Sequence, residues 1–434
     1  MNNLIKIEEV KTSHKIFFLP AIILIVAYLL KLAAIPNHAL VVSASFLLII
    51  ISLIVFLRWE LKKEKIFSRK SFHVLFFILT LIVIILPYAN IFNQGLIPII
   101  IYSFILLSVF IYFIKINTDK YDLSKFVNPN NYRNFVFQIL FLVVLNSPFI
   151  DTLPDKFYSP SFQPKYEQRK GPEIYIDEAH YNYHTSSGLY TTFANVLRKD
   201  GYVVNSFANE LTNESLQHIK ILVISNALNK QNIDNWEQPV YSAFEEQEIL
   251  STRDWVENGG SLFLIADHPP FSSASQKLAA AFGFTFSDGT ARQREGGKSD
   301  LFSRQNKILL ENEITNGTNN SEYVDSIITF TGQAFKIPDS ATSILNFNGD
   351  YALYTPKIHN DFSDCIPEDI TRYSQGAYMK FGKGRIVVFG EAAMFSGQLG
   401  AGLSWIKIGM NSTNAKNNYK LLLNIAHWLD NYKN

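Results

Sequence analysis

His180 and His184 stand four residues apart behind Asp177, in the stretch EIYIDEAHYNYHTSSGLY from Glu173 to Tyr190. A four-residue step puts both imidazoles on one face of a helical turn. Two imidazoles beside a carboxylate are candidate ligands for a divalent metal such as zinc, so His180 and His184 are the expected metal pair. The spacing lacks the Glu of the HExxH zinc-protease helix. The competing reading gives the same histidines structural hydrogen bonds or metal-free acid/base work.

Other reactive side chains follow later apolar runs. KILVIS ends at Ser225-Asn226, SLFLIAD at Asp267-His268, and RIVVFG runs into Glu391. In an open parallel sheet these ends share one edge, and ligands bind outside the carboxyl ends of the strands. Helix capping alone accounts for Asp177 or Ser225. It does not require His268 beside Asp267, nor two histidines after Asp177. The expectation is one cluster at the carboxyl edge: Asp267, His268 and Glu391 catalytic, Asp177, Asn182 and Asn226 binding ligand, His180 and His184 holding metal. A metal-free hydrolase would instead use Ser272 or Ser273 at a helix N-terminus, with His268 or His180 as base, although no elbow motif surrounds either serine.

The elements that must position these residues begin at Gly171. EIYID, YVVNSF, KILVIS and SLFLIAD are short apolar runs that alternate with helical segments at Ser187–Asp200, Glu210–His218, Phe244–Asn258 and Ser273–Phe282. Strands alternating with helices predict a parallel sheet covered on both faces. Gly283–Asn320 is polar and Gly-rich, and is expected as an insertion or mobile loop. SIITFTGQAF, TSILNF and YALYT are further strand candidates, Gly382-Lys383-Gly384 marks a hairpin, and Asn417–Leu429 closes the chain as a helix.

Upstream the composition changes. The chain has 434 residues, with 39 basic against 38 acidic, and so offers no electrostatic case for a nucleic-acid partner. A single cysteine, Cys365, excludes an internal disulfide and a Cys-cluster metal site. Residues 1–150 are poor in charge, and Ile16–Ile35, Ala39–Leu57, Phe72–Tyr88 and Leu96–Ile114 have spanning or near-spanning apolar length. Phe135–Ile150 is a fifth, more polar run that either spans or lies in the interface.

These runs give the expectation of an N-terminal helical transmembrane bundle of four to five spans, an integral, multi-pass inner (cytoplasmic) membrane protein. Its partners would be the lipid bilayer and further membrane subunits. Basic loops at 58–70 and 115–133 would be cytoplasmic, and with five spans residues 171–434 would be an extracytoplasmic domain behind a linker at 151–170. The absence of acidic residues within the runs favours an anchor over a transport pathway.

IDEAHYNYHT, GLYTTFANVLRKDGY, LVISNAL, WVENGGSLFLIADHPPF, FTGQAF and GKGRIVVFGEAAMFSGQ together resemble an uncharacterised bacterial family. Its domain is similar to class I glutamine amidotransferases and to soluble domains of gliding-motility and ABC-transporter auxiliary proteins. The resemblance covers roughly Gly171–Asp430. It implies an α/β flavodoxin-like, amidotransferase-like three-layer sandwich, and carries over Asp177, His180, Asn182, His184, Asp267, His268 and Glu391 without an assigned reaction. It does not imply glutaminase activity, because Cys365 lies in SDCIPED and not on a Gly-x-Cys-x-Gly elbow. Two functions are therefore expected. One is a hydrolase acting on an envelope glycan or peptide; the other is a non-catalytic ligand-binding, scaffold or sensor component of a membrane complex.

Overall fold

Runs of branched and aromatic residues with period two build the main sheet, because alternate side chains leave a strand on opposite faces. The computed structural model describes residues 152–297, 299–356, 361–400 and 406–431. In chain order the strands of the main sheet are β1 (Glu173–Asp177), β2 (Val203–Phe207), β3 (Ile221–Ser225), β4 (Ser261–Ile265), β5 (Thr285–Phe286), β6 (Phe335–Lys336), β7 (Thr342–Asn346), β8 (Ser374–Phe381) and β9 (Gly384–Phe389). The longer helices are α1 (Thr191–Lys199), α2 (Glu246–Glu257), α3 (Phe271–Ala280) and α4 (Asn418–Leu429).

Among the described residues the sheet has nine strands in the order β2-β1-β3-β4-β9-β8-β6-β5, with β7 also paired to β8. β2, β1, β3, β4 and β9 are mutually parallel. Taken alone, these five have the chain order 2-1-3-4-5, a doubly wound arrangement whose switch point lies between β1 and β3. The rest of the sheet is antiparallel.

Alternation sorts the core into two layers. Ile174, Ile176, Val223, Phe263 and Phe389 pack with Phe193 and Leu197 of α1 and Leu421 and Ile425 of α4. Leu222, Ile224, Leu262, Leu264 and Val388 pack on the other side with Ile249 and Val256 of α2 and Leu278 of α3. β3 and β4 are buried along their whole length, as strands covered on both faces must be.

Several expectations need correction. Among the described residues no helix is long and apolar enough to cross a membrane. The longest, α2 and α4, have 12 residues each, against about 20 needed for a hydrocarbon core. The apolar runs of residues 1–150 lie outside the described residues. The expected fold class, a transmembrane bundle joined to a three-layer sandwich, is therefore replaced by a mostly α/β domain with a mixed sheet. The multi-pass inner-membrane location and the extracytoplasmic placement, which depended on counting spans, are withdrawn with the bundle. Apolar length by itself shows only that a span would fit; a continuous helix has to supply it.

Residues 153–170, within the expected linker at 151–170, lie against the domain. Leu153–Pro154 pairs with Gly397–Leu399, the Tyr166 hydroxyl donates to Asp430 at 2.7 Å, and Lys165 pairs with Glu322 at 3.0 Å. The expected insertion at Gly283–Asn320 carries β5 and two more strands. Thr290–Gln293 pairs with Tyr351–Tyr354, and Asp300–Ser303 with Ser326–Thr329. SIITFTGQAF is not one strand: it breaks at Thr331 and Gly332, whose φ values of 132° and 113° lie outside any strand.

Candidate functional site at the carboxyl edge of the sheet

The chain leaves β1 through Asp177, which is completely buried. A buried carboxylate must be hydrogen-bonded to survive desolvation, and the loop that follows supplies the donors. His180 Nδ1 lies 2.9 Å from both Asp177 oxygens. Asn182 donates to Asp177 Oδ2 at 3.0 Å and to the Ser225 carbonyl at 3.2 Å, and the Ala179 N–H donates to Oδ1 at 3.2 Å. On the far side of the ring, His180 Nε2 lies 3.0 Å from Glu248 Oε1 on α2.

An imidazole placed between two carboxylates donates from both nitrogens only as the imidazolium. Burial lowers the pKa of His180, but Asp177 and then Glu248 outweigh it and the pKa is raised overall. Glu248 shows the converse. Burial pushes its pKa up, yet the backbone N–H groups of Glu245 and Leu211 and the charge of His180 hold it below the usual carboxylate range.

Asn226 follows β3 directly, with a left-handed φ of 47°, a conformation Asn tolerates better than most residues. It ties three segments together. Its N–H donates to Ile265 at 2.9 Å and its carbonyl accepts from Tyr183 N at 3.0 Å, while its side-chain oxygen accepts from Asp267 N at 2.9 Å. Asp267 in turn accepts from the N–H groups of His268 at 2.8 Å and Ala392 at 3.2 Å. His268 Nδ1 sits 2.9 Å from the Pro269 carbonyl, and Nε2 is 3.9 Å from Asp267.

Glu391, fully buried just beyond β9, accepts from the N–H groups of Ala393 at 2.7 Å and Met394 at 2.9 Å. Burial raises its pKa far above the carboxylate range, and the neighbouring Asp267 charge adds to the rise, against the lowering effect of the backbone donors. Tyr190 reaches the same region, its hydroxyl donating to the Ala392 carbonyl at 3.0 Å.

The raised pKa of Glu391 makes a testable statement about stability. A folded value above the ordinary 4.5 means that the stability gained from its protonated form is complete below that ordinary value and is lost as pH rises through the folded one. Glu391→Gln should therefore flatten the decline on the alkaline side. Urea unfolding at about pH 5 and about pH 9 checks it: an equal decline in both proteins contradicts the assignment.

The expected single cluster thus appears as two hydrogen-bonded sets, one on each side of Ser225-Asn226. Asp177, His180 and Asn182 form the first with Glu248. Asn226, Asp267, His268 and Glu391 lie along the second. The His184 ring nitrogens find no hydrogen-bond partner among the described residues: the side chain is 3% exposed, and burial lowers its pKa to about 3. Its ring packs 4.6 Å from Tyr190.

The donors do not fit the zinc reading. His180 has no free lone pair, and among the described residues no group of three or more His, Cys, Asp or Glu is placed to hold a metal ion. Ser272 is buried and Ser273 donates to Asp288; neither hydroxyl is bonded to His268 or His180. Cys365 is a partly exposed free thiol.

Glu248 and Tyr190 were not singled out from the sequence. Glu248 sits among the acidic residues of a helix's first turn, which normally face water, and only its capping partner Glu245, three residues earlier, hints at an ordered role. Nothing in the sequence announces Tyr190.

No family model matches the chain, and no curated protein matches it. Solved structures similar to it include the mmIFT52 N-terminal domain, at 15% identity and TM-score 0.42, covering 59% of this chain and 97% of that one. A ThuA-like protein from Bacteroides uniformis is similar at 11% identity and TM-score 0.34, covering 63% of this chain and 95% of that one. A protein described as a GMP synthase component from Thermoplasma acidophilum is similar at 13% identity and TM-score 0.32, covering 60% of this chain and 94% of that one. At these identities and TM-scores no residue's role is transferred from those proteins to this chain.

Proposed function

We propose that the domain is a non-catalytic binding module, similar to the amidotransferase-like family its sequence resembles, that holds a glycan or peptide ligand over the switch point between β1 and β3. The observation that carries this reading is how the ionisable residues at the edge are used. His180 is fixed between Asp177 and Glu248 at 2.9 and 3.0 Å, and Glu391 receives two backbone N–H groups. A general base or nucleophile needs a free lone pair within reach of substrate. His180 has both ring nitrogens, and Glu391 two of its acceptor sites, committed to holding loops in place.

The hydrolytic reading retains one supporting observation. Glu391 and Asp267 form a carboxyl pair in which Glu391 is pushed toward its protonated form, and a split pair of this kind is a pattern of acid/base sites. One assay separates the two. Full-length protein and its Asp267→Asn and His268→Ala variants are incubated with chromogenic glycosides, esters and peptides. The binding reading expects no turnover that either variant reduces. Turnover that falls by about 100-fold or more in both variants would establish the hydrolase instead.

A further inference from the structure

We infer that Asn348-Gly349 is a self-modification site, at which the Gly349 backbone nitrogen closes on the Asn348 side chain and converts it to aspartate and isoaspartate. Asparagine is among the thermolabile residues. A glycine after it, having no Cβ, leaves the backbone free to close the five-membered ring on which the conversion depends. The chain has three Asn-Gly steps, at Asn258, Asn316 and Asn348. Residue type does not separate them, but the fold does. Asn258 follows α2, and its side-chain amide turns back to donate to the Asp254 carbonyl at 2.9 Å. The nitrogen that would attack it, Gly259 N, donates to the Val256 carbonyl at 3.0 Å. Asn316 ends a short helix, Glu313–Asn316. Its side-chain oxygen accepts from Arg304 at 2.7 Å and its N–H donates to Asn312 at 2.9 Å, so helical backbone has to be broken before a ring can form there.

Asn348 folds its side chain forward. Its Oδ1 accepts from the Asp350 N–H at 3.1 Å, and its Nδ2 donates to Asp350 Oδ2 at 3.0 Å. The first contact is an Asx turn. It carries the side-chain carbonyl across the Gly349 peptide and polarises it, so the reacting atoms are held together before reaction. Gly349 is exposed, and a Cβ built on it would meet nothing within 4 Å, which leaves the step open to water. In the reaction the Gly349 nitrogen bonds to the Asn348 side-chain carbonyl carbon and gives its proton to water. The bond from that carbon to Nδ2 breaks, and Nδ2 takes a proton from water and leaves as ammonia. A second water then adds to one of the two carbonyls of the cyclic imide and opens it, to aspartate or to isoaspartate.

The conversion acts on a turn that is tied down at both ends. Phe347 and Tyr351 flank it as buried rings 5.2 Å apart. Within it the Gly349 carbonyl accepts from Arg294 Nε at 3.1 Å and the Asp350 carbonyl from Arg294 N at 2.9 Å. Both products place a negative charge beside Asp350, and isoaspartate also adds a carbon to the main chain. A lengthened turn cannot keep both rings and both Arg294 contacts in place, so the converted protein melts at a lower temperature.

The test is incubation of full-length protein in mildly alkaline buffer at physiological temperature, followed by tryptic peptide mass spectrometry against an unincubated sample. Cleavage after Arg253, Lys277, Lys307, Lys336 and Lys357 puts each Asn-Gly step on its own peptide. Asn348 should exchange its amide for a carboxyl at least about tenfold faster than Asn258 or Asn316. Gly349→Ala has room for its Cβ, and its φ lies outside the left-handed region, so the variant should melt as wild type does while converting about tenfold more slowly. After incubation wild type should melt lower and Gly349→Ala should not. Asn348 that stays intact while a free peptide of residues 344–354 converts in the same buffer overturns the site, as do equal rates at the three steps or an unslowed Gly349→Ala. Conversion that leaves the melting temperature unchanged overturns the consequence drawn for the turn.

Discussion

His180→Ala is expected to destabilise the domain by about 3–5 kcal/mol, because it leaves Asp177 and Glu248 as buried carboxylates without the cation between them. The three side chains have relative exposures of only 7%, 0% and 10%, so water cannot readily replace the lost charge. Urea denaturation near neutral pH measures the loss, and a change below about 1 kcal/mol would show that the triad is not a buried ion network. Adding Glu248→Gln to His180→Ala removes one of the stranded charges and should recover part of the loss.

The triad also predicts a pH profile with two limbs. The folded pKa of His180 is raised above 6.5, so its contribution is fully present below that ordinary value and is lost as pH rises through the folded one. The folded pKa of Glu248 is lowered below 4.5. Its contribution is therefore present above the ordinary value and lost as pH falls through the folded one. Both contributions are complete between about pH 4.5 and about pH 6.5.

Gly332→Ala is expected to cost about 3 kcal/mol and to disturb the second set of edge residues. Gly332 has φ 113°, a conformation that disfavours any Cβ. An added Cβ would collide with the Gly390 carbonyl and lie 2.9 Å from both Gln375 Nε2 and Glu391 Cβ. Backbone cannot yield as a flexible side chain can. The clash would move Glu391 away from Ala393 and Met394 and disturb Gln333, whose side chain donates to the Ala266 carbonyl at 2.9 Å. A melting temperature within about 2 °C of wild type would contradict this account.

Much of the frame was legible from local pattern. Asp177, Asn226, Asp267 and Glu391 were each placed at a carboxyl end because the run before each is too apolar to be anything but core, and β1, β3, β4 and β9 are those runs. The hairpin at Gly382-Lys383-Gly384 joins β8 to β9 in register, with Phe381 opposite Gly384. Pattern misled where composition was asked to stand for context. Gly283–Asn320 is polar yet supplies strands, since short antiparallel strands can be held by partners distant in sequence, as Thr290–Gln293 is by Tyr351–Tyr354. The apolar N-terminal runs had the length of spans, but among the described residues no helix bears out a crossing.

Residue types and spacing alone determined which chemistry-bearing side chains share the sheet's carboxyl edge, because period-two burial sets where each strand ends and the parallel reading sends every loop to one side. Only the tertiary structure decided what those side chains do there. Glu248 lies 68 positions beyond His180, and it is α2 folding over the sheet that brings its carboxylate to the second ring nitrogen. That contact turns a candidate metal ligand into the centre of an ion triad. His184, four residues along, is left unpartnered because the loop seats its ring against Tyr190 and away from the carboxylates. A contact of that kind depends on how the loop is packed, and no spacing in the sequence expresses it.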